Sequence, residues 1–150
     1  MGVVENLAEL GLQIPTVPAP VAAYVPAVRS GGYVYTSGQL PMRDGQLIAT
    51  GKVGGDVTPE TAYDCARQCA LNAIAAVASQ VDIDTVRIVK AVAFVASTPD
   101  FTGQPAVANG ASELLGAAFG DLGVHARSAV GVPVLPLDAP VEVELIAEIQ

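Results

Sequence analysis

Tryptophan is absent from this chain of 150 residues, histidine occurs once, at position 125, and cysteine twice, at positions 65 and 69. Two cysteines cannot supply the disulfide framework of a small secreted domain. Their separation of four is not the two-residue gap of a zinc knuckle, and no second pair completes four ligands, so no metal site is expected. A single histidine excludes a nuclease mechanism built on a pair of them. Aromatic residues make up 5% of the chain, too few for a platform on which bases stack. Positive charge is scarce as well: 7 Lys and Arg stand against 15 Asp and Glu, a net charge of −8. The seven cations (Arg29, Arg43, Lys52, Arg67, Arg87, Lys90 and Arg127) are scattered and form no basic stripe. Nucleic-acid binding rests on clustered cations that neutralise phosphates, so no nucleic-acid partner is expected. No apolar run approaches the ~18–20 residues needed to cross a bilayer. Met1 to Leu10 carries Glu5 and Glu9 and no basic stretch, which argues against a secretory signal. The expectation is a cytoplasmic protein with no membrane partner.

What is present is apolar surface, 51% of the residues, punctuated by 11 prolines and 15 glycines. The length suits one domain. Residues 1–20 read as an ordered N-terminal arm: Leu7, Leu10 and Leu12 can dock as a short helix or strap, and Pro15, Pro18 and Pro20 favour an extended lead-in. Residues 21–150 read as the domain proper. Ala23 to Arg29 and Tyr33 to Ser37 predict two strands around Gly31-Gly32, and Arg43-Asp44-Gly45 turns into a third, Gln46 to Thr50. A helix over 58–79 has Thr58 as cap and Pro59 at its first turn, with small apolar residues from Ala62 to Val77 at three- and four-residue steps. Val86 to Ala96 is a β-branched strand. A second helix, Pro105 to Phe119, ends at Gly120, and Ser128 to Val134 and Val141 to Ile149 predict the last two strands. This order predicts an α+β two-layer sandwich: a six-stranded mixed sheet with two helices on one face. The other face of the last strand carries Glu142, Glu144, Ile146 and Glu148. An uncovered face on so apolar a chain argues for contact with another subunit.

Few residues carry chemistry. Cys65 and Cys69 share one helix face and read as small core residues. His125 and Arg127 point to one side of a strand. An arginine entering the apolar Ser128–Val132 stretch needs an anion, either a glutamate of the last strand or the carboxylate of a ligand, which arginine grips with two parallel bonds.

Ala-Arg-Ser-Ala-Val-Gly-Val-Pro-Val-Leu-Pro at 126–136, followed by Val-Glu-Val-Glu at 141–144, resembles the C-terminal signature of the YjgF-type Rid family, also called the endoribonuclease L-PSP family. Tyr24 and Tyr35-Thr36-Ser37-Gly38-Gln39-Leu40-Pro41 match its N-terminal signature at the expected spacing. The resemblance covers roughly 20–149 of the chain. It implies a chorismate-mutase-like fold, a homotrimer with pockets between subunits, and no cofactor. It also implies hydrolysis of reactive enamines and imines, such as 2-aminoacrylate, to 2-keto acids and ammonia. Carried over by motif, Arg127 holds the substrate carboxylate and Glu142 positions or activates the attacking water. Ser37, Gly38, Tyr24 and Asn109 line the pocket, and His125 is a secondary, tuning residue. The chain departs from the pattern at Ala129, where many members have cysteine, at His125, where proline is common, and in its longer arm. The alternatives are a trimeric binder of small carboxylate metabolites, or a chaperone-like protein, using the same pocket without turnover. The ribonuclease activity of the older family label sits poorly with a charge of −8 per chain.

Overall fold

The computed structural model describes residues 2–17 and 23–150. Pro18 and Pro20 of the proline-rich lead-in, and the expected boundary between arm and domain, lie outside the described residues. The elements are α1 (Val3–Glu9), β1 (Ala27–Ser30), β2 (Tyr33–Thr36), β3 (Met42–Arg43), β4 (Gln46–Leu47), α2 (Pro59–Ala78), β5 (Val86–Ala96), α3 (Gln104–Phe119), β6 (Ala126–Val132) and β7 (Val141–Ile149). The α+β character and both long helices match the sequence reading.

The sheet differs from the expected six strands. It has five, in the order β1-β2-β7-β5-β6, and β3 and β4 form a separate two-stranded ribbon. The physical reason is edge availability: β2 already pairs with β1 on one side and β7 on the other. The chain leaving β2 therefore cannot fold back to pair with β2 itself. It closes its own hairpin instead, through Asp44 and Gly45, both at positive φ.

β5 and β7 span the middle, antiparallel, and β6 runs parallel to β5 along its other edge. Val141, Val143, Leu145 and Ala147 are buried towards the helices, while Glu142, Glu144, Ile146 and Glu148 are half-buried on the opposite face, the alternation that a period of two imposes. Cys65 and Cys69 sit within the core stripe of α2, where burial pushes the Cys65 thiol up to about 11. The two helices approach closely at Gly110 of α3, where a Cβ would lie 2.1 Å from the Tyr63 carbonyl oxygen of α2.

The arm begins with a short helix. Val3 and Leu7 of α1 are buried, Val3 N–H donates to Asp84 Oδ1 at 2.7 Å, and the Asn6 side-chain amide donates to the Ala118 carbonyl of α3 at 2.8 Å. The opposite sheet face has no cover among the described residues: Val28, Tyr33, Tyr35 and Val130 are each between 39% and 53% exposed there.

Candidate functional site

The predicted residues gather in two places. The first lies at the β6 edge under α3. Arg127 pairs in register with Ala91, a buried, helix-facing residue, so its side chain rises on the helix side of the sheet. There its Nη1 donates to Asn109 Oδ1 at 2.8 Å and to Ser112 Oγ at 3.2 Å, and Nη2 donates to the Pro105 carbonyl at 3.4 Å. Asn109, Ser112 and Pro105 all belong to α3, and their spacing of three and four puts them along one face. A guanidinium has five N–H donors. These three contacts leave the Nε–H and one Nη2–H, the pair that forms a fork. His125, at the entry to β6, lies between Gly123 and Ser112: Nδ1 is 2.6 Å from the Gly123 carbonyl and Nε2 is 2.9 Å from Ser112 Oγ.

Every acceptor on Arg127 is neutral. The only ion pair among the described residues joins Lys52 and Asp138. A pairing of Arg127 with a glutamate of the last strand, one of the two expectations for it, does not occur. β5 stands between β6 and β7 and holds their side chains apart.

The second cluster lies at the start of β7 on the opposite sheet face. Glu142 pairs with Phe94 of β5 and is half-buried. Its carboxyl lies against the backbone of Gly38, where a Cβ would stand 2.7 Å from the Glu142 Cδ, so a side chain at 38 would displace the carboxyl from this position. Gln39 exchanges two backbone hydrogen bonds with Val143, at 2.8 and 3.0 Å, which fixes this loop to β7. Ser37 Oγ donates to the Val25 carbonyl at 2.6 Å and Ser37 N–H to the Pro26 carbonyl at 2.8 Å. Those bonds tie down the segment that carries Tyr24, which is 65% exposed. Burial first, and then repulsion from Glu144, push the Glu142 carboxyl above its ordinary pKa.

Thus Arg127, Asn109 and His125 come together, as do Ser37, Gly38 and Glu142 with Tyr24 nearby, but the two groups occupy opposite faces of one sheet. Ser112 and the Pro105 carbonyl are additions that sequence reasoning missed. The helical spacing of 105, 109 and 112 is present in the sequence, but nothing there says which strand passes beneath. Two surface grooves, of about 360 and 590 Å³, run along α2 beside the arm and the β3–β4 ribbon, and none of the predicted site residues lines either. Among the described residues no group of His, Cys, Asp or Glu is assembled as a metal would need.

The site is framed by a five-stranded α+β sheet with helices on one face, an arginine with an open fork at one edge and a half-buried glutamate on the other face. The chain belongs to the Endoribonuclease L-PSP family, whose pattern it matches over residues 15–149. It is 43% identical to Protein TCP17 of Trypanosoma cruzi, over 98% of this chain and 94% of that one. A RutC family protein of Pasteurella multocida is 34% identical, over 87% and 90% respectively. Among solved structures, Atu1372 of Agrobacterium tumefaciens, a protein of unknown function, superposes with a TM-score of 0.92 at 42% identity, covering 99% of this chain and 92% of its own. The YjgF gene product of E. coli gives 0.66 at 30% identity, covering 89% and 98%. E. coli TdcF with bound serine gives 0.66 at 26%, covering 89% and 94%.

Proposed function

We propose that the protein hydrolyses small enamines and imines that carry a carboxylate, releasing a 2-keto acid and ammonia, in pockets between the subunits of a homotrimer. The observation that carries this reading is the Arg127 guanidinium: half-buried, uncompensated by any carboxylate of the described chain, and with one fork left open. Such a charge calls for an anion, and a carboxylate matches the fork with two parallel bonds. The serine bound to TdcF is an α-amino acid of that kind.

In this reading the substrate carboxylate sits on Arg127, with Asn109 beside it. The enamine CH2=C(NH2)–COO⁻ takes a proton from water at its methylene carbon and becomes the iminium CH3–C(=NH2⁺)–COO⁻. Water adds to the iminium carbon as Glu142 accepts its proton; Glu142 then returns that proton to the amine nitrogen of the carbinolamine, which leaves as ammonia while the hydroxyl proton passes back to Glu142 and the C=O of the 2-keto acid forms. A carboxylate whose pKa is pushed up is a stronger base near neutral pH than an ordinary one, which suits Glu142 to the task. Holding an already activated imine beside an oriented water supplies much of what this reaction needs.

Arg127 and Glu142 occupy opposite faces within one chain, so a site using both is built from two subunits, Arg127 of one meeting Glu142, Gly38, Ser37 and Tyr24 of its neighbour. The uncovered sheet face, with Val28, Tyr33, Tyr35 and Val130 exposed on it, supplies a surface for that contact. Residues 21–150 then form the catalytic unit, preceded by an N-terminal arm whose α1 docks on α3. No helix among the described residues is long and apolar enough to cross a membrane, and a cytoplasmic location fits a substrate formed and consumed in metabolism.

The test is release of 2-keto acid from imines generated in situ by an amino-acid dehydratase, followed with and without the protein. Acceleration supports the deaminase. A well-folded trimer that binds 2-keto acids through Arg127 without accelerating hydrolysis makes the protein a carboxylate binder instead. A ribonuclease reading finds no support in a chain of net charge −8.

A further inference from the structure

We infer that Ser112 and His125 form a directional brace that aims Arg127, leaving its Nε/Nη2 edge turned outward for a planar carboxylate. The inference deepens the reading of Arg127 as the carboxylate grip and rests on it. A backbone carbonyl only accepts, so the 2.6 Å contact from His125 Nδ1 to the Gly123 oxygen puts the imidazole proton on Nδ1. With that as the ring's one proton, Nε2 is an acceptor. The Ser112 hydroxyl, 2.9 Å away, has one proton and spends it there. That orientation leaves a lone pair of Ser112 Oγ facing Arg127, which fills it with one Nη1 proton at 3.2 Å. Asn109 Oδ1 takes the other Nη1 proton at 2.8 Å. With the ring's one proton on Nδ1, each group in the chain Arg127–Ser112–His125–Gly123 has one role.

The consequence is orientation. Nη1 is held against α3 by two acceptors, so the plane of the guanidinium is set before ligand arrives. A planar two-oxygen head group fits a fixed fork, and less of the arginine's freedom is lost on binding. Ser112 and His125 do not touch the ligand in this arrangement. They are positioning residues.

Two measurements test this on the intact protein. The first needs no ligand: the order of the Arg127 Nε–H bond by side-chain 15N relaxation falls in Ser112→Ala and recovers in Ser112→Thr, which keeps the hydroxyl. Unchanged order in Ser112→Ala overturns the brace. The second titrates pyruvate calorimetrically. Ser112→Ala weakens binding about tenfold, as loss of a hydrogen bond to a charged group would. Ser112→Thr restores it to within about threefold, and Ser112→Ala adds nothing in an Arg127→Lys background, where no fork remains to aim. Additive losses in that cycle also overturn the brace. If the wild-type protein binds no pyruvate while the relaxation result holds, the carboxylate reading of Arg127 fails and the brace is left as a structural device with no part in ligand binding, which overturns its assigned purpose.

Discussion

Arg127 carries a full charge to a half-buried position where Asn109, Ser112 and the Pro105 carbonyl meet it without neutralising it. Because none of these partners is an anion, removing the arginine strands no buried carboxylate. Arg127→Ala is therefore expected to shift Tm by no more than about 3 °C while abolishing pyruvate binding. Arg127→Lys keeps the charge and loses the fork, and should weaken binding by on the order of tenfold to a hundredfold; calorimetry on both variants, beside thermal unfolding, checks the pair. Glu142 gives a prediction with a sign. Its carboxyl is raised in the folded protein, chiefly by burial, so the folded state binds its proton more tightly than the unfolded state does. Its ionised form consequently costs stability, a cost absent below the unfolded carboxylate pKa and fully felt once pH has risen through the folded value. Glu142→Gln should unfold at a higher temperature than wild type at pH 7, with the gap closing as pH falls to about 4. The same substitution should lower kcat more than it weakens binding of a 2-keto acid. His125→Ala should retain more than about a tenth of wild-type activity, since the imidazole acts through Ser112 and not on the substrate.

At the scale of elements, α2 packs closely against α3. Gly110 lets the Tyr63 carbonyl come so near that a Cβ there would stand 2.1 Å from it, a contact with backbone that cannot yield cheaply. Gly110→Ala is expected to cost about 1–3 kcal/mol. It should also disturb pyruvate binding, because the adjacent Asn109 and the nearby Ser112 ride on the same helix. Urea unfolding and titration of the same variant test both effects. The arm gives a contrasting case: Leu7 is fully buried although α1 is short. Seven residues are too few to hold a helix in water alone, so docking on α3 stabilises it. Leu7→Ala should lower stability by about 2–5 kcal/mol without altering the affinity of Arg127 for a carboxylate.

For the molecule as a whole, the decisive feature is the division of candidate residues between two faces of one sheet. Sedimentation at micromolar concentration is expected to give three times 15.2 kDa. A charge introduced at Tyr35 or Val130, both exposed on the uncovered face, should dissociate the assembly and remove activity together, although neither belongs to the proposed catalytic set. Activity that survives in such a monomer would contradict a site shared between subunits.

The local elements were legible because their signals are local. Thr58 and Pro59 announce the start of α2, and the Thr58 hydroxyl does accept the Thr61 N–H. The β-branched run from Val86 to Ala96 is a strand over those same residues, and the alternation from Val141 to Ile149 fixed which side of β7 faces the helices. Arg127 stood out on chemistry alone, as a cation entering an apolar strand, whereas Asn109, Ser37, Gly38 and Glu142 were singled out only through motif resemblance, since nothing in their spacing says which of them meet. Strand pairing was not legible in periodicity or spacing, because it depends on which edges are already occupied; only the family resemblance implied a strand between those of Arg127 and Glu142. With both edges of β2 taken, the expected third strand became half of a separate ribbon. Placing β5 between β6 and β7 did more, since it denied Arg127 an internal glutamate and put Glu142 on the far face. Ser112 has no signature of its own; it matters because α3 crosses β6 where the arginine rises. The amino-acid order set the elements and their buried sides through periods of two and 3.6. Long-range pairing decided that Arg127 meets only neutral acceptors among the described residues.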